Sequence, residues 1–173
     1  MLAASTAAWA GHSSPPALPV IDACLNSGGA GPVLDRARAL ATRILLQADI
    51  RLLWHTDPQT CLTAPHSLVI TLSLDTPGLD HPGALAYALP FSRTRAVLFY
   101  DRITRAAGPP LVPYLLAFAL AHEITHLLQG IDRHSPTGIM KAHWDSRDYA
   151  DMLRGRFRFA PEDVQFIRLG ANR

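Results

Sequence analysis

The stretch that decides the fold is His122-Glu123-Ile124-Thr125-His126, which is followed by His134 and then by Gly138-Ile139-Met140. In an α-helix, positions i and i+4 lie on one face, so His122 and His126 can present two imidazoles to one metal ion. Glu123 borders the same face and can reach a water molecule on that metal. This spacing is the H-E-x-x-H arrangement of zinc hydrolases, in which the glutamate is the general base.

The residues around this motif predict that it lies on a helix. Pro113 suits a first helical turn, residues 114–128 are rich in Leu and Ala, and Gly130 is a natural stop. The alternative is a chance pentapeptide on a buried helix. The histidine and the methionine that follow the motif argue against that alternative.

Composition bounds the class of protein. The chain has 173 residues, of which 49% are apolar and 17% are charged, as in one globular domain with a core. The 16 Lys and Arg residues are scattered, without a basic stripe that alternates with aromatic residues, so we expect no nucleic-acid partner. No run of 18 apolar residues occurs, so we expect no membrane span. We also expect a monomer.

The N-terminal segment is expected to be a leader, residues 1–17, ahead of a single catalytic domain, residues 18–173. Ala8-Trp9-Ala10 fits the small-x-small pattern of a signal-peptide cleavage site, but no Lys or Arg precedes it. The segment is therefore either the remnant of a signal peptide or a frayed terminus. We expect a secreted, periplasmic or cell-surface location.

The chain has two cysteines, Cys24 and Cys61. Well-separated cysteines form either one disulfide or two buried thiols, and the sequence favours the disulfide slightly. Neither cysteine has the spacing of a metal ligand.

Hydrophobic patterning predicts alternating strands and helices. The predicted strands are residues 18–25, 50–54, 68–74, 84–89 and 96–101. The predicted helices are residues 32–48, 114–128, 147–153 and a last one from Pro161, with a loop over 57–65. The first two strands are expected to be parallel, because a helix connects them. The last helix is expected to contact the core through Val164, Phe166, Ile167 and Leu169. The predicted fold class is α+β: one domain with a twisted mixed sheet of about five strands, packed on an active-site helix and a backing helix, plus a C-terminal helix.

The stretch from His122 to Met140 resembles the metzincin zinc peptidases, most closely their matrixin-like branch. The family pattern is H-E-x-x-H-x-x-G-x-x-H followed by a turn that contains a methionine. The resemblance extends over most of residues 20–170, including 83–90 and 157–164. It implies a zincin-like five-stranded sheet, one catalytic Zn²⁺ ion and endopeptidase activity on a peptide or protein substrate. It also implies that Met140 forms a hydrophobic floor under the three histidines.

The third ligand departs from the family spacing. The family glycine would fall at Gln129, but the glycine is Gly130, and the strict count places the third ligand at Asp132. We predict His134 instead. The shifted glycine lengthens the helix by one residue, the short loop after Gly130 has slack to bring an imidazole back, and His134 leads into the turn with Met140. Asp132 is the second choice.

The resemblance also predicts the walls of a cleft. The edge strand that would pair with an extended substrate is expected to include Ala84, Leu85, Ala86 and Tyr87. Residues 143–152, with Trp144 and Tyr149, would form the wall of the neighbouring pocket. Tyr87 occupies the place of a family histidine, and the histidines 55, 66 and 81 make no clear ligand set. We therefore expect no structural zinc.

Two other functions remain open at this point. One is a non-catalytic metzincin-like module whose zinc is structural or lost, and the other is a zinc hydrolase of a non-peptide substrate. Glu123 argues against the first, because a binding module needs no carboxylate beside an open metal site.

Overall fold

A computed structural model describes residues 17–26, 31–63, 67–77 and 81–171. Residues 1–16 of the predicted leader and His66 lie outside these ranges, so the predictions about them stay predictions. No helix among the described residues is long and apolar enough to cross a membrane.

Five strands and six helices make up the described part of the chain. The strands are β1 (Val20–Asn26), β2 (Arg51–His55), β3 (Leu68–Ser73), β4 (Ala86–Leu89) and β5 (Arg95–Phe99). The helices are α1 (Gly31–Leu46), α2 (Pro58–Thr63), α3 (Tyr100–Ala106), α4 (Val112–Gln129), α5 (Ser146–Leu153) and α6 (Pro161–Ala171).

The strands form one mixed sheet in the order β2-β1-β3-β5-β4. The first four strands in this order are mutually parallel, and β4 is antiparallel to β5. The parallel pairing of β1 and β2 confirms the expectation from the strand-helix-strand pattern. The position of β4 at the end of the sheet leaves one of its edges without a strand in the described part of the chain.

Helices α1 and α4 pack together and against the sheet. The buried residues of α1 recur at helical spacing and form one stripe that faces the core: Leu34, Ala37, Ala41, Ile44 and Leu45. Helix α4 differs, because every residue except Tyr114 is buried. A helix that is apolar on all sides belongs inside a protein, and α4 contacts α1, α3, α5, α6, β4 and β5. The predicted α+β class, with a mixed five-stranded sheet packed on two helices, is confirmed.

Three local predictions were wrong. Cys61 lies in α2 rather than in a loop, because the Asp57 carboxylate accepts bonds from the backbone N–H and the hydroxyl of Thr60 and so caps a short helix. Asp101 lies in α3 rather than at the end of a strand, and its carboxylate pairs with Arg105 one helical turn later. Leu169 is 61% exposed, because α6 turns Asp163 and Ile167 towards the core instead.

Cys24 and Cys61 form a disulfide. The bond joins β1 to α2, which also contacts β2. The slight preference for a disulfide over two buried thiols is therefore confirmed.

Candidate metal centre

Helix α4 places His122, Glu123 and His126 in its last two turns, all three buried. The helix ends at Gly130, whose φ of 69° lies in the left-handed region that glycine adopts without strain. The N–H of Gly130 donates to the carbonyl of His126, so the chain turns back directly after the motif. Gly130 thus ends the helix as the sequence predicts.

Two backbone carbonyls orient the helix-borne imidazoles. The Nδ1 atom of His122 lies 2.8 Å from the carbonyl oxygen of Ile139, and Nδ1 of His126 lies 3.2 Å from that of Ile131. A carbonyl oxygen can only accept, so both Nδ1 atoms carry the hydrogen. In the neutral rings each Nε2 atom then carries a free lone pair. This tautomer is the one that binds a metal through Nε2.

The two Nε2 atoms face each other at 3.0 Å. Neither has a proton to share when both rings are neutral, so the two lone pairs repel and a cation between them resolves the conflict. Two nitrogens at ~2.0–2.1 Å from one tetrahedral zinc ion lie about 3.3 Å apart, close to the distance here. The chemistry of this pair therefore fits a zinc ion.

His134 completes a group of three. Its ring centroid lies 5.3 Å from that of His122 and 5.0 Å from that of His126. The candidate ligand atoms of the three residues lie within 4.8 Å of one another. A catalytic zinc site has three protein ligands and leaves its fourth position open for water or substrate. Three imidazole nitrogens are a suitable set of protein ligands for such a site. Asp132 does not belong to this group and lies exposed on the rim.

Burial controls the protonation of the centre. It lowers the pKa of His122 to about 3, and the neighbouring His126 adds to the effect. Burial likewise raises the pKa of Glu123 to about 8, with the carboxylate of Asp132 as the second cause. The imidazole of His122 is therefore neutral near pH 7, as a metal ligand must be.

The three histidines line a cleft with a volume of about 590 Å³. One wall is the segment before and within β4, including Ala84, Leu85, Ala86 and Tyr87, the four residues that we predicted as the substrate edge. The strand itself begins at Ala86, so Ala84 and Leu85 precede it. The cleft is also lined by Trp144 and Tyr149, which the sequence predicts as part of its wall, together with Lys141 and His143.

Met140 is fully buried at the end of the turn that follows His134. Its carbonyl accepts a bond from the N–H of Ser135, which closes the turn. The N–H of Ile139 donates to the carbonyl of Arg158, so the turn is also fixed to the segment before α6.

The remaining histidines have other neighbours. Nε2 of His55 lies 2.6 Å from a carboxylate oxygen of Asp22, and the ring of His81 stacks on Tyr87 with 4.1 Å between the centroids. Neither belongs to a three-ligand group among the described residues. The expectation of no structural zinc stays a prediction.

Sequence reasoning missed three contributors to the site. The carbonyls of Ile131 and Ile139 have no sequence signal, because any residue supplies a backbone oxygen. Lys141 lines the cleft, and its ammonium group bonds the carboxylates of Asp145 and Asp148 that cap α5. The Asp145-x-x-Asp148 spacing at the start of a helix was the available signal for this cap.

No protein-family model matches the sequence, and no curated protein matches it. A solved structure does match: archaemetzincin from Methanopyrus kandleri. The alignment covers 91% of this chain and 99% of that chain, with a TM-score of 0.58 and 16% sequence identity. The two proteins are similar in fold. The resemblance to metzincins is thereby confirmed at the level of the fold, and the narrower resemblance to the matrixin-like branch stays a prediction.

Proposed function

We propose that this protein is a zinc-dependent endopeptidase, with His122, His126 and His134 as the metal ligands. The observation that carries the proposal is the pair of facing Nε2 atoms on His122 and His126, whose Nδ1 atoms are already committed to carbonyls. The likeness in fold to archaemetzincin supports it. One zinc ion, when bound, would supply a Lewis acid that polarises a carbonyl group and lowers the pKa of water.

Glu123 is the proposed general base. It lies beside the two helix-borne histidines and lines the cleft. It does not belong to the group of three histidines proposed as the ligands. Its carboxylate would take a proton from water and return it to the leaving amine. The positive charge of a cation on the neighbouring nitrogens would lower the raised pKa of this side chain and favour its base form.

We propose His134 rather than Asp132 as the third ligand. The position of the His134 ring beside the other two rings supports this choice. Three neutral imidazoles also leave the full charge on the metal, whereas an Asp132 carboxylate would cancel part of it. On this proposal, Asp132 acts from the rim, where it contributes to the raised pKa of Glu123.

The proposed substrate is an extended peptide that pairs with β4. The open edge of this strand supports the proposal, because its free N–H and C=O groups would bond a peptide backbone whatever its side chains are. The strand lines the same cleft as His122, so a paired peptide would pass the metal centre. An edge that binds main chain within a substrate, rather than a terminus, is the reason for proposing an endopeptidase.

The location proposed for the protein is secreted, periplasmic or at the cell surface. The disulfide between Cys24 and Cys61 supports this, because such bonds persist in oxidising compartments.

Hydrolysis of a fluorogenic peptide pool tests the proposed function. We expect cleavage that a chelator abolishes and that added zinc restores. Peptides left intact by a protein that binds zinc would overturn the proposal. Hydrolysis of ester substrates alone by that protein would indicate a non-peptide hydrolase, and no hydrolysis at all would indicate a binding module.

A further inference from the structure

A buried carboxylate on α6 contacts both sequence neighbours of His134. Asp163 is fully buried, and its Oδ1 atom accepts a hydrogen bond of 2.6 Å from the hydroxyl of Ser135. The same oxygen accepts a bond of 2.5 Å from the guanidinium of Arg133. Arg133 also donates to the hydroxyl of Ser135 at 3.2 Å, so the three side chains form a closed triangle. His134 is the residue between the two that Asp163 holds.

Helix α6, which carries Asp163, is itself fixed against α4. At Gly170, a Cβ atom would lie 2.0 Å from the carbonyl oxygen of Leu128, so the two helix backbones touch without a side chain between them. Helix α4 carries His122 and His126. The path from α4 through α6 and Asp163 therefore leads to the two residues that flank His134, and it links the segment of the third imidazole to the helix that carries the other two.

Stability alone does not account for this triangle. A buried ion pair often contributes no more than apolar residues of the same volume, because the desolvation of the charges offsets their attraction. Asp163 Oδ2 and Arg133 Nε are buried, and neither has a hydrogen-bond partner in the described part of the chain. The arrangement leaves polar atoms unpaired yet keeps two directional bonds on the residues that flank His134.

We propose that Asp163 is a positioning residue that holds the imidazole of His134 against those of His122 and His126. This inference rests on the proposed metal-binding function for its purpose, but the placement of the ring can be measured without metal. Losing a partner that orients a metal ligand typically weakens metal binding by about 10-fold to 100-fold.

The test compares Asp163→Asn with Arg168→Gln. The first keeps the shape of the side chain and removes its charge. The second is the control, because Arg168 also forms an ion pair from α6, but its partner is Asp49, at 2.5 Å, and not a residue beside His134. Two quantities are measured: ring-to-ring nuclear Overhauser effects between His134 and His126 in the metal-free protein, and the zinc dissociation constant by competition with a chelator.

We expect Asp163→Asn to lose the ring-to-ring signals and to bind zinc about 10-fold to 100-fold more weakly. Arg168→Gln should keep both at the parent values. Parent-like signals and zinc affinity in Asp163→Asn would overturn the inference, and so would equal losses in both variants. If Asp163→Asn does not fold, Ser135→Ala decides, because it removes the two bonds of the Ser135 hydroxyl and leaves the bond between Arg133 and Asp163 in place. Parent-like signals and affinity in that variant would overturn the inference.

The two proposals can fail separately. A parent protein that shows the ring-to-ring signals but binds no zinc would contradict the proposed function. The role of Asp163 would then be decided by the signals in the metal-free variants.

Discussion

His122 and His126 lie on one helical turn of α4, whereas His134 lies four residues beyond Gly130 on a segment without regular secondary structure. Backbone geometry alone sets the spacing of the first two, because residues i and i+4 share a face of any α-helix. The place of His134 depends on contacts with distant parts of the chain, such as Asp163 on α6, 28 residues after Ser135. One half of the centre is therefore built locally and the other half by tertiary packing.

This difference teaches where the centre can be perturbed. A change near the helix-borne pair alters chemistry more than placement, since α4 is buried on nearly every side and held by the whole core. A change in the contacts of residues 131–140 should alter the placement of His134 first. The predictions that follow run from the largest expected effect to the smallest.

Glu123→Gln should abolish catalysis at the helix-borne part of the centre and leave the positions of its histidines unchanged. We expect peptide hydrolysis to fall by at least ~10²-fold while zinc content stays at the parent level, because the variant loses a proton acceptor and no ligand. The control is Asp35→Asn, the same loss of a carboxylate at an exposed position on α1, which should leave the rate unchanged. Retained activity in Glu123→Gln would contradict the assignment of the base.

Separate His134→Ala and Asp132→Ala variants test which residue is the third metal ligand, the part of the centre that depends on tertiary packing. We expect His134→Ala to weaken zinc binding by about 100-fold or more. This is more than the loss of about 10-fold to 100-fold that is typical when a residue that only orients a ligand is removed. Asp132→Ala should bind zinc as the parent does. Chelator competition gives both constants, and the opposite pattern would show that the strict family spacing applies.

Gly170→Ala should disturb the link between the two halves. Its Cβ would lie 2.0 Å from the carbonyl oxygen of Leu128, and overpacking of this kind typically costs about 1–3 kcal/mol of the free energy of unfolding. Gly108→Ala is the matched control, because a Cβ at that position would meet nothing within 4 Å. Denaturant unfolding of both variants checks this, and equal stabilities would mean that α6 shifts away from α4 at no cost.

Trp144→Phe should have the smallest effect on the centre. The indole N–H donates a hydrogen bond of 3.1 Å to the carbonyl oxygen of Ile139. The same oxygen accepts a bond from Nδ1 of His122. Losing that bond should lower the free energy of unfolding by about 0.5–1.5 kcal/mol, and zinc affinity should stay unchanged because His122 keeps its acceptor. A tenfold change in zinc affinity, measured by the same competition assay, would show that the helix-borne pair is also set by its tertiary neighbours.

Much of the fold could be predicted from the sequence because its signals are short-range. The apolar stripe of α1, the glycine that ends α4, and the strand-helix-strand order that makes β1 and β2 parallel all depend on residues close in the chain. Failures occurred where a side-chain contact decided the outcome, as with the Asp57 cap that starts α2. Leu169 shows the same limit, since the packing of α6 chose which of its apolar residues face the core.

The sequence by itself determined the helix that carries His122, Glu123 and His126, because the spacing of side chains on a helix is a property of the backbone. It also narrowed the candidates for a third ligand to two residues, Asp132 and His134. The tertiary structure alone decided which of those two lies beside the helix-borne pair. It also decided which ring nitrogens face inward, through the carbonyls of residues 131 and 139. These features join residues that are distant in the chain, and packing of the whole domain determines them.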